Sequence, residues 1–290
     1  MSNTLKIVLL MLCAGFATAG FARQVNVSDT SLLGNNPKAG NYARIRGINM
    51  YYETYGEGTP LLIIHGNSGS IADFSKQVPF FSKYYKVIVT DSRDHGKTLD
   101  TLHMQDSLSY EMMADDYNAL LTHLKIDSCN VLGWSDGGII GLLLAMRCPD
   151  KIKKLAIMGA NLWPDTNAVK PFVLKYFTLT NQYIKAGKPG VERDVLLRHF
   201  NLVLNQPHIA PEQLSQIKCP TLVMAGDHDV IQVKHTALIA ESIPKSNLWI
   251  APNAGHGLSV FEYSDKFNME VNEFYKRPYK AIEGYELFKH

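Results

Sequence analysis

The stretch Asn130-Val131-Leu132-Gly133-Trp134-Ser135-Asp136-Gly137-Gly138-Ile139-Ile140-Gly141-Leu142-Leu143-Leu144-Ala145-Met146 decides how this chain is read. Residues 130–133 form a short strand-like run, of the kind found where a strand is covered on both faces. Residues 139–146 are apolar on every side and predict a buried helix. Between them lies Gly-x-Ser-x-Gly, which places Ser135 on a tight strand-to-helix turn. The five-residue pattern alone is weak, because about one chain in ten of this length contains it by chance. The flanking elements give it chemical sense. Such a turn exposes a serine Oγ and aims the first N–H groups of the helix at the reacting centre. Gly133 and Gly137 suit the turn, since a side chain at either would crowd it. Ser135 is therefore a candidate nucleophile; the competing reading is a glycine-rich turn with a capping serine.

A serine hydroxyl needs a base to remove its proton. In this arrangement an acid and then a histidine follow the nucleophile in chain order, each in a loop after a later strand. The strand-like run 222–225 ends in Gly226-Asp227-His228-Asp229, and the run 248–250 is followed by Ala254-Gly255-His256-Gly257. His256 is the candidate base, placed to open a helical segment over 258–275. Asp229 and Asp227 compete for the carboxylate that would hold its ring in one tautomer. Upstream, the run 61–64 ends in His65-Gly66-Asn67-Ser68-Gly69. The backbone N–H groups of Asn67 and Asp136 are the candidate oxyanion donors. His65 precedes the nucleophile and reads as a residue that orients its loop.

The rest of the chain alternates in the same rhythm. Runs 42–46 and 48–55 predict a hairpin turning at Gly47, and 87–90 and 155–158 are further buried strands. Residues 107–125 carry apolar side chains at helical spacing, with Ser107 available as N-cap, and 234–242 is another helix. Alternating buried strands and helices imply a mostly parallel sheet flanked by helices, with the hairpin antiparallel at one edge. About sixty residues separate the runs 155–158 and 222–225, far more than an ordinary connection. They hold helical patterns over 171–186 and 191–204 and predict a cap inserted at about 161–218. Ligands of open α/β sheets bind beyond the carboxyl ends of the strands, under such a cap. Trp134, Asn161, Trp163 and Phe172 are candidate pocket residues there.

Composition sets the outer limits. The chain has 290 residues, 46% hydrophobic and 19% charged, with a net charge of +2. That balance suits a globular enzyme with a weakly charged small-molecule partner and argues against nucleic-acid binding. The start is distinct: Lys6 precedes an apolar run over 7–16 that ends in Ala17-Thr18-Ala19-Gly20-Phe21-Ala22. This predicts a signal peptide over 1–22, cleaved after Ala19 or Ala22, and an extracytoplasmic (periplasmic or secreted) protein with no membrane span once the signal is removed. Lipid anchoring at Cys13 is disfavoured by the bulky Leu12. An irregular lead-in over 23–41 and a main domain over 42–290 follow. Cys129, Cys148 and Cys219 form no Cys-x-x-Cys unit and read as buried thiols. No metal-ligand spacing and no phosphate-cradling glycine loop is present, so neither a metal nor a cofactor is expected.

These residues, in this order, resemble the α/β-hydrolase family over nearly all of the chain after Tyr42. The resemblance implies an eight-stranded sheet with a small helical cap after the sixth strand. It matches His65 and Gly66 to the family's His-Gly before the oxyanion hole, and Asp91, Arg93 and Gly96 to its Asp-x-Arg-x-x-Gly turn. This chain carries Asp94-His95 where many relatives read Gly-His. The family's acid sits just before a short apolar stretch, which selects Asp229, followed by Val230 and Ile231, over Asp227. The implied activity is carboxylester cleavage through an acyl-enzyme on Ser135. A Ser-dependent C–C bond hydrolase is the nearest rival, and a non-turnover small-molecule receptor is the reading from another class. Oligomeric state and substrate identity are not legible in the sequence.

Overall fold

The structure is a computed structural model that describes residues 30–100, 107–257 and 263–281. The expected signal peptide, Cys13 and the start of the lead-in lie outside the described residues. No helix of the described residues is long and apolar enough to cross a membrane.

Eight strands form one sheet: β1 (Gly40–Ile45), β2 (Ile48–Tyr55), β3 (Pro60–Ile64), β4 (Lys86–Thr90), β5 (Cys129–Trp134), β6 (Ile152–Met158), β7 (Thr221–Gly226) and β8 (Ser246–Ala251). Their spatial order is β1-β2-β4-β3-β5-β6-β7-β8. The β1–β2 hairpin and the β2–β4 pair are antiparallel, and every later pairing is parallel. From β3 the chain steps outward to β4 and then crosses back to place β5 on the other side of β3. The loops after β3 and β5 therefore leave side by side, at the switch point where open α/β sheets form a crevice. Topology alone thus brings the Asn67 loop to the Ser135 turn.

Successive side chains of a strand point to opposite faces, and both faces here are dry. Leu62, Ile64, Ile88 and Val131 join one core, while Leu61, Ile63, Val87, Val89 and Leu132 join the other. The first core is closed by α2 (Tyr110–His123), α3 (Asp136–Arg147) and α6 (Val233–Ser242); the second is closed by α1 (Gln77–Phe81) and α7 (Ser264–Lys276). The all-apolar run in α3 is explained by its place, since every residue from Asp136 to Ala145 is buried. Truncating one such Leu or Ile to Ala costs about 2–5 kcal/mol.

Between β6 and β7 the chain forms α4 (Pro171–Lys185) and α5 (Val191–Asn205), the helices of the cap. Inner residues of α4 pack on Ala168, Val169 and Ile231.

Several boundaries differ from expectation. α2 begins at Tyr110 and its N-cap is Ser109, not Ser107; the Ser109 hydroxyl accepts a hydrogen bond from Met112 N at 3.1 Å. Leu108 before that cap and Met113 in the first turn are buried in one core, a staple that fixes where the helix can start. The helix expected from residue 258 begins at Ser264, and 258–262 lie outside the described residues. Cys129 and Cys219 are buried free thiols as expected, whereas Cys148 is only half-buried, because it caps the exposed end of α3.

Candidate active site

The strand–turn–helix around Ser135 is sterically exacting. Ser135 has φ 55° and ψ −117°, a conformation that L-residues rarely adopt and that turns its side chain out of both flanking elements. The chain can make this turn only because two neighbours lack a Cβ. One placed on Gly133 would lie 2.2 Å from Gly137 O, and one on Gly137 would lie 2.1 Å from Ile64 O. Immediately beyond the turn, Gly138 N donates to Ser135 O at 2.8 Å and α3 begins.

His256 and Asp229 complete a line of hydrogen bonds. Ser135 Oγ lies 3.0 Å from His256 Nε2, and His256 Nδ1 lies 2.7 Å from Asp229 Oδ1. With an aspartate on Nδ1, that nitrogen carries the proton and Nε2 accepts from the serine. Asp229 is completely buried at the end of β7, and its Oδ1 also accepts from Ile231 N at 2.9 Å. Asp227 is elsewhere: partly exposed, it accepts from Ala254 N at 3.1 Å and holds the loop that presents His256. Trp134 Nε1 donates to His256 O at 2.9 Å and steadies the same loop from the other side.

The loop after β3 runs against the nucleophile, since a Cβ on Gly66 would lie 3.1 Å from Ser135 Cβ. His65 is buried and orients this loop. Its Nδ1 donates to Gly66 O at 2.7 Å, and its Nε2 accepts from Ser92 N at 2.9 Å. Burial depresses its basicity, which suits that neutral, one-donor role. The side chain of Asn67 donates to Asp136 Oδ2 at 3.0 Å and to the cap's His199 O at 3.3 Å. The two residues whose N–H groups are the candidate oxyanion donors are therefore fastened to each other. The Asp136 carboxyl is buried, which pushes its pKa up to about 6 against the opposing hydrogen bonds from Asn67 and Tyr110.

The turn after β4 keeps a left-handed residue at Asp94, φ 62°, where the family resemblance leads one to expect glycine. Its side chain is put to use: Oδ1 accepts from Asp100 N at 3.0 Å, and Oδ2 forms an ion pair with Arg198 of α5. The next cap residue, His199, stacks on His95 with ring centroids 3.9 Å apart. His199 Nε2 donates to Asp94 O at 3.0 Å, and its Nδ1 meets Ser68 Oγ at 3.2 Å. Burial lowers the His199 pKa to about 4, so the ring is neutral at neutral pH. Cap and oxyanion loop are thus joined by direct polar contacts.

A cavity of about 420 Å³ opens above Ser135 and His256, lined on the cap side by Val169, Phe172, Val173, Leu174, Tyr176, Phe177 and Val203. Asn67, Tyr110, Asp136, Asn161, Gln206, Val230 and Ile231 complete it. Asn161 and Phe172 thus lie where a pocket residue should. Trp134 and Trp163 do not line it, which corrects their expected role. Trp134 is held under the His256 loop, and Trp163 packs edge-on against His235 at 4.6 Å beneath the cap. Sequence reading missed Gly159, Tyr110 and His199. Gly159, directly after β6 with φ 65°, would place a Cβ 2.6 Å from His256 Cε1. A glycine at the tip of a parallel strand was the available signal. For Arg198 and His199 it was polar residues at helical spacing between Val195 and Leu202, on what should be an apolar face.

A buried aspartate, a histidine and a serine in hydrogen-bonded line at the strand tips of a doubly wound sheet have the form of a serine-hydrolase site. Comparison with known proteins agrees with the fold. A model of the α/β hydrolase fold matches residues 59–191. The human serine hydrolase BPHL is 27% identical over 246 residues, covering 79% of this chain and 84% of that protein. A putative carbamate hydrolase, RutD of Serratia proteamaculans, is 27% identical over 264 residues, covering 76% of this chain and 93% of that one. Among solved structures, the meta-cleavage product hydrolase CumD of Pseudomonas fluorescens superimposes with a TM-score of 0.68 at 20% identity, covering 83% of this chain and 98% of that one, a likeness of fold. The chain has the α/β-hydrolase fold, which these comparisons and the eight-stranded sheet support together.

Proposed function

We propose that this protein hydrolyses an ester-like bond of a small molecule through an acyl-enzyme on Ser135. The observation that carries the reading is the unbroken line from Ser135 Oγ through His256 to buried Asp229, at 3.0 and 2.7 Å. Ser135 Oγ attacks the carbonyl carbon while His256 Nε2 takes its proton, and Asp229 stabilises the imidazolium. The N–H groups of Asn67 and Asp136 receive the oxyanion, where one such donor is worth about 10²–10³ in kcat. His256 then returns the proton to the leaving alkoxide, which departs and leaves the acyl group on Oγ. Water, deprotonated by the same nitrogen, releases the acid and restores the serine.

Carboxylester cleavage is favoured over the C–C alternative by the cavity. Among the described residues its lining is mostly apolar, with one carboxyl, that of Asp136, and no Lys or Arg to pair with an anionic substrate group. Relatives described as a serine hydrolase and a putative carbamate hydrolase are consistent with acyl transfer. Turnover of nitrophenyl esters of increasing acyl length tests the proposal. A burst followed by steady turnover, both lost in Ser135→Ala, is expected; stoichiometric binding without turnover would identify a receptor instead. An extracytoplasmic location is part of the proposal and rests on Lys6, the apolar run and the Ala-x-Ala site. N-terminal sequencing of the exported chain tests it, with cleavage after Ala19 or Ala22 expected.

A further inference from the structure

Among the described helices, the outer face of α4 stands apart. Phe172, Tyr176, Leu179 and Tyr183 are 65%, 61%, 55% and 82% exposed. Their spacings of four, three and four residues put them in one line along the helix, which is about 22 Å long at 1.5 Å per residue. The inner face of the helix is already satisfied by Val173, Leu174 and Phe177 against Ala168, Val169 and Ile231. Four large apolar or aromatic side chains in an exposed row mark an interaction surface rather than scattered exposure.

Charge indicates the partner. From Thr166 to Val191 the chain carries Lys170, Lys175, Lys185 and Lys188 and no Asp or Glu. The nearest acids are Asp165 before the cap helix and Glu192 and Asp194 in α5, of which Asp194 is paired with Arg193 at 2.8 Å. An apolar-aromatic row flanked by lysines is the composition of a helix that lies in a membrane interface, its rings at the acyl boundary and its ammonium groups among the headgroups. The row is also continuous with the site. Phe172 and Tyr176 belong both to the exposed line and to the wall of the cavity above Ser135.

We propose that the outer face of α4 docks this protein onto an anionic lipid surface, with the mouth of the Ser135 cavity turned toward the bilayer. The cavity then receives amphiphilic molecules laterally from the lipid rather than from bulk water. The docking itself does not require that Ser135 be a nucleophile, so it stands apart from the hydrolase reading.

The experiment mixes the full chain with vesicles of equimolar phosphatidylglycerol and phosphatidylcholine, or of phosphatidylcholine alone, and follows co-sedimentation and hydrogen exchange of α4 peptides. Binding to the anionic vesicles with slowed exchange in α4 is expected, equally in Ser135→Ala. Leu179→Ser/Tyr183→Ser and Lys175→Glu/Lys185→Glu should each weaken binding roughly tenfold or more. All four residues lie outside the cavity lining, so hydrolysis of a short soluble ester should be unchanged. The local exchange readout separates α4 from any contribution of the N-terminal apolar run, which every variant shares. Unchanged α4 exchange with anionic vesicles overturns the proposal. So does α4 protection that rises with protein concentration in the absence of lipid, which would assign the row to a second copy of the chain.

Discussion

Gly159→Ala probes the site without replacing any of its reacting groups. Gly159 has φ 65°, and a Cβ there would lie 2.6 Å from His256 Cε1 and 2.8 Å from Nδ1. Carbon atoms rest at about 3.5 Å or more, so the ring must retreat by close to 1 Å. That retreat acts on a ring held between Asp229 Oδ1 at 2.7 Å and Ser135 Oγ at 3.0 Å, and both contacts cannot survive it. A misplacement of about 1 Å in a positioned catalytic group lowers the rate about 10²-fold. The left-handed backbone adds about 1–2 kcal/mol of destabilisation, which lowers the Tm of a domain of this size by several degrees. The expected result is a folded variant with kcat/KM on a short nitrophenyl ester down about 100-fold and slower reaction with a serine-directed phosphonate. A folded Gly159→Ala chain with activity within about threefold of wild type would refute the claim that His256 must stand where the structure puts it.

Other perturbations separate neighbouring roles. Asp229→Asn should cost about 10⁴ in kcat by favouring the wrong tautomer, whereas Asp227→Asn should cost a few-fold at most through its loop; steady-state kinetics of the pair decides between the two aspartates. His199→Phe keeps a ring against His95 but loses the bonds to Asp94 O and Ser68, so kcat should fall about tenfold with KM little changed. An effect on KM alone would mean that the cap does not position the oxyanion loop. For Asp136, burial raises the folded pKa from 3.8 to about 6. Between those values the folded chain retains a proton that the unfolded chain has released, so this group's contribution to stability declines as the pH rises through the window. Asp136→Asn removes the effect, and its stability relative to wild type should rise by roughly 2 kcal/mol between pH 4 and pH 7 in urea unfolding. A difference that does not vary with pH would contradict the placement of that carboxyl.

The elbow, the parallel sheet and the cap were legible because each leaves a local pattern. Apolar runs mark strands dry on both faces, an all-apolar helix follows the serine, and sixty residues intervene where a connection needs a few. Asp229 was separable from Asp227 only through family resemblance, since the two differ in burial rather than in local sequence. What escaped was long-range. The Asp94–Arg198 ion pair and the His199 contacts join residues about a hundred positions apart; helical spacing marks Arg198 and His199 as out of place on α5 but does not name their partners. Trp134 and Trp163 were misjudged for the same reason. An aromatic ring near a site satisfies its N–H and its packing wherever the fold allows, and here that is under the His256 loop and against His235.

The central claim is that Ser135 is the atom that takes the acyl group. Incubating the wild-type chain with a fluorophosphonate, then mapping the adduct by peptide mass spectrometry while following ester turnover, tests it most directly. The account predicts one adduct on the peptide carrying Ser135, with activity lost in step with labelling and neither seen in Ser135→Ala. Ester turnover that persists with Ser135 fully labelled, or that survives in Ser135→Ala, would contradict it.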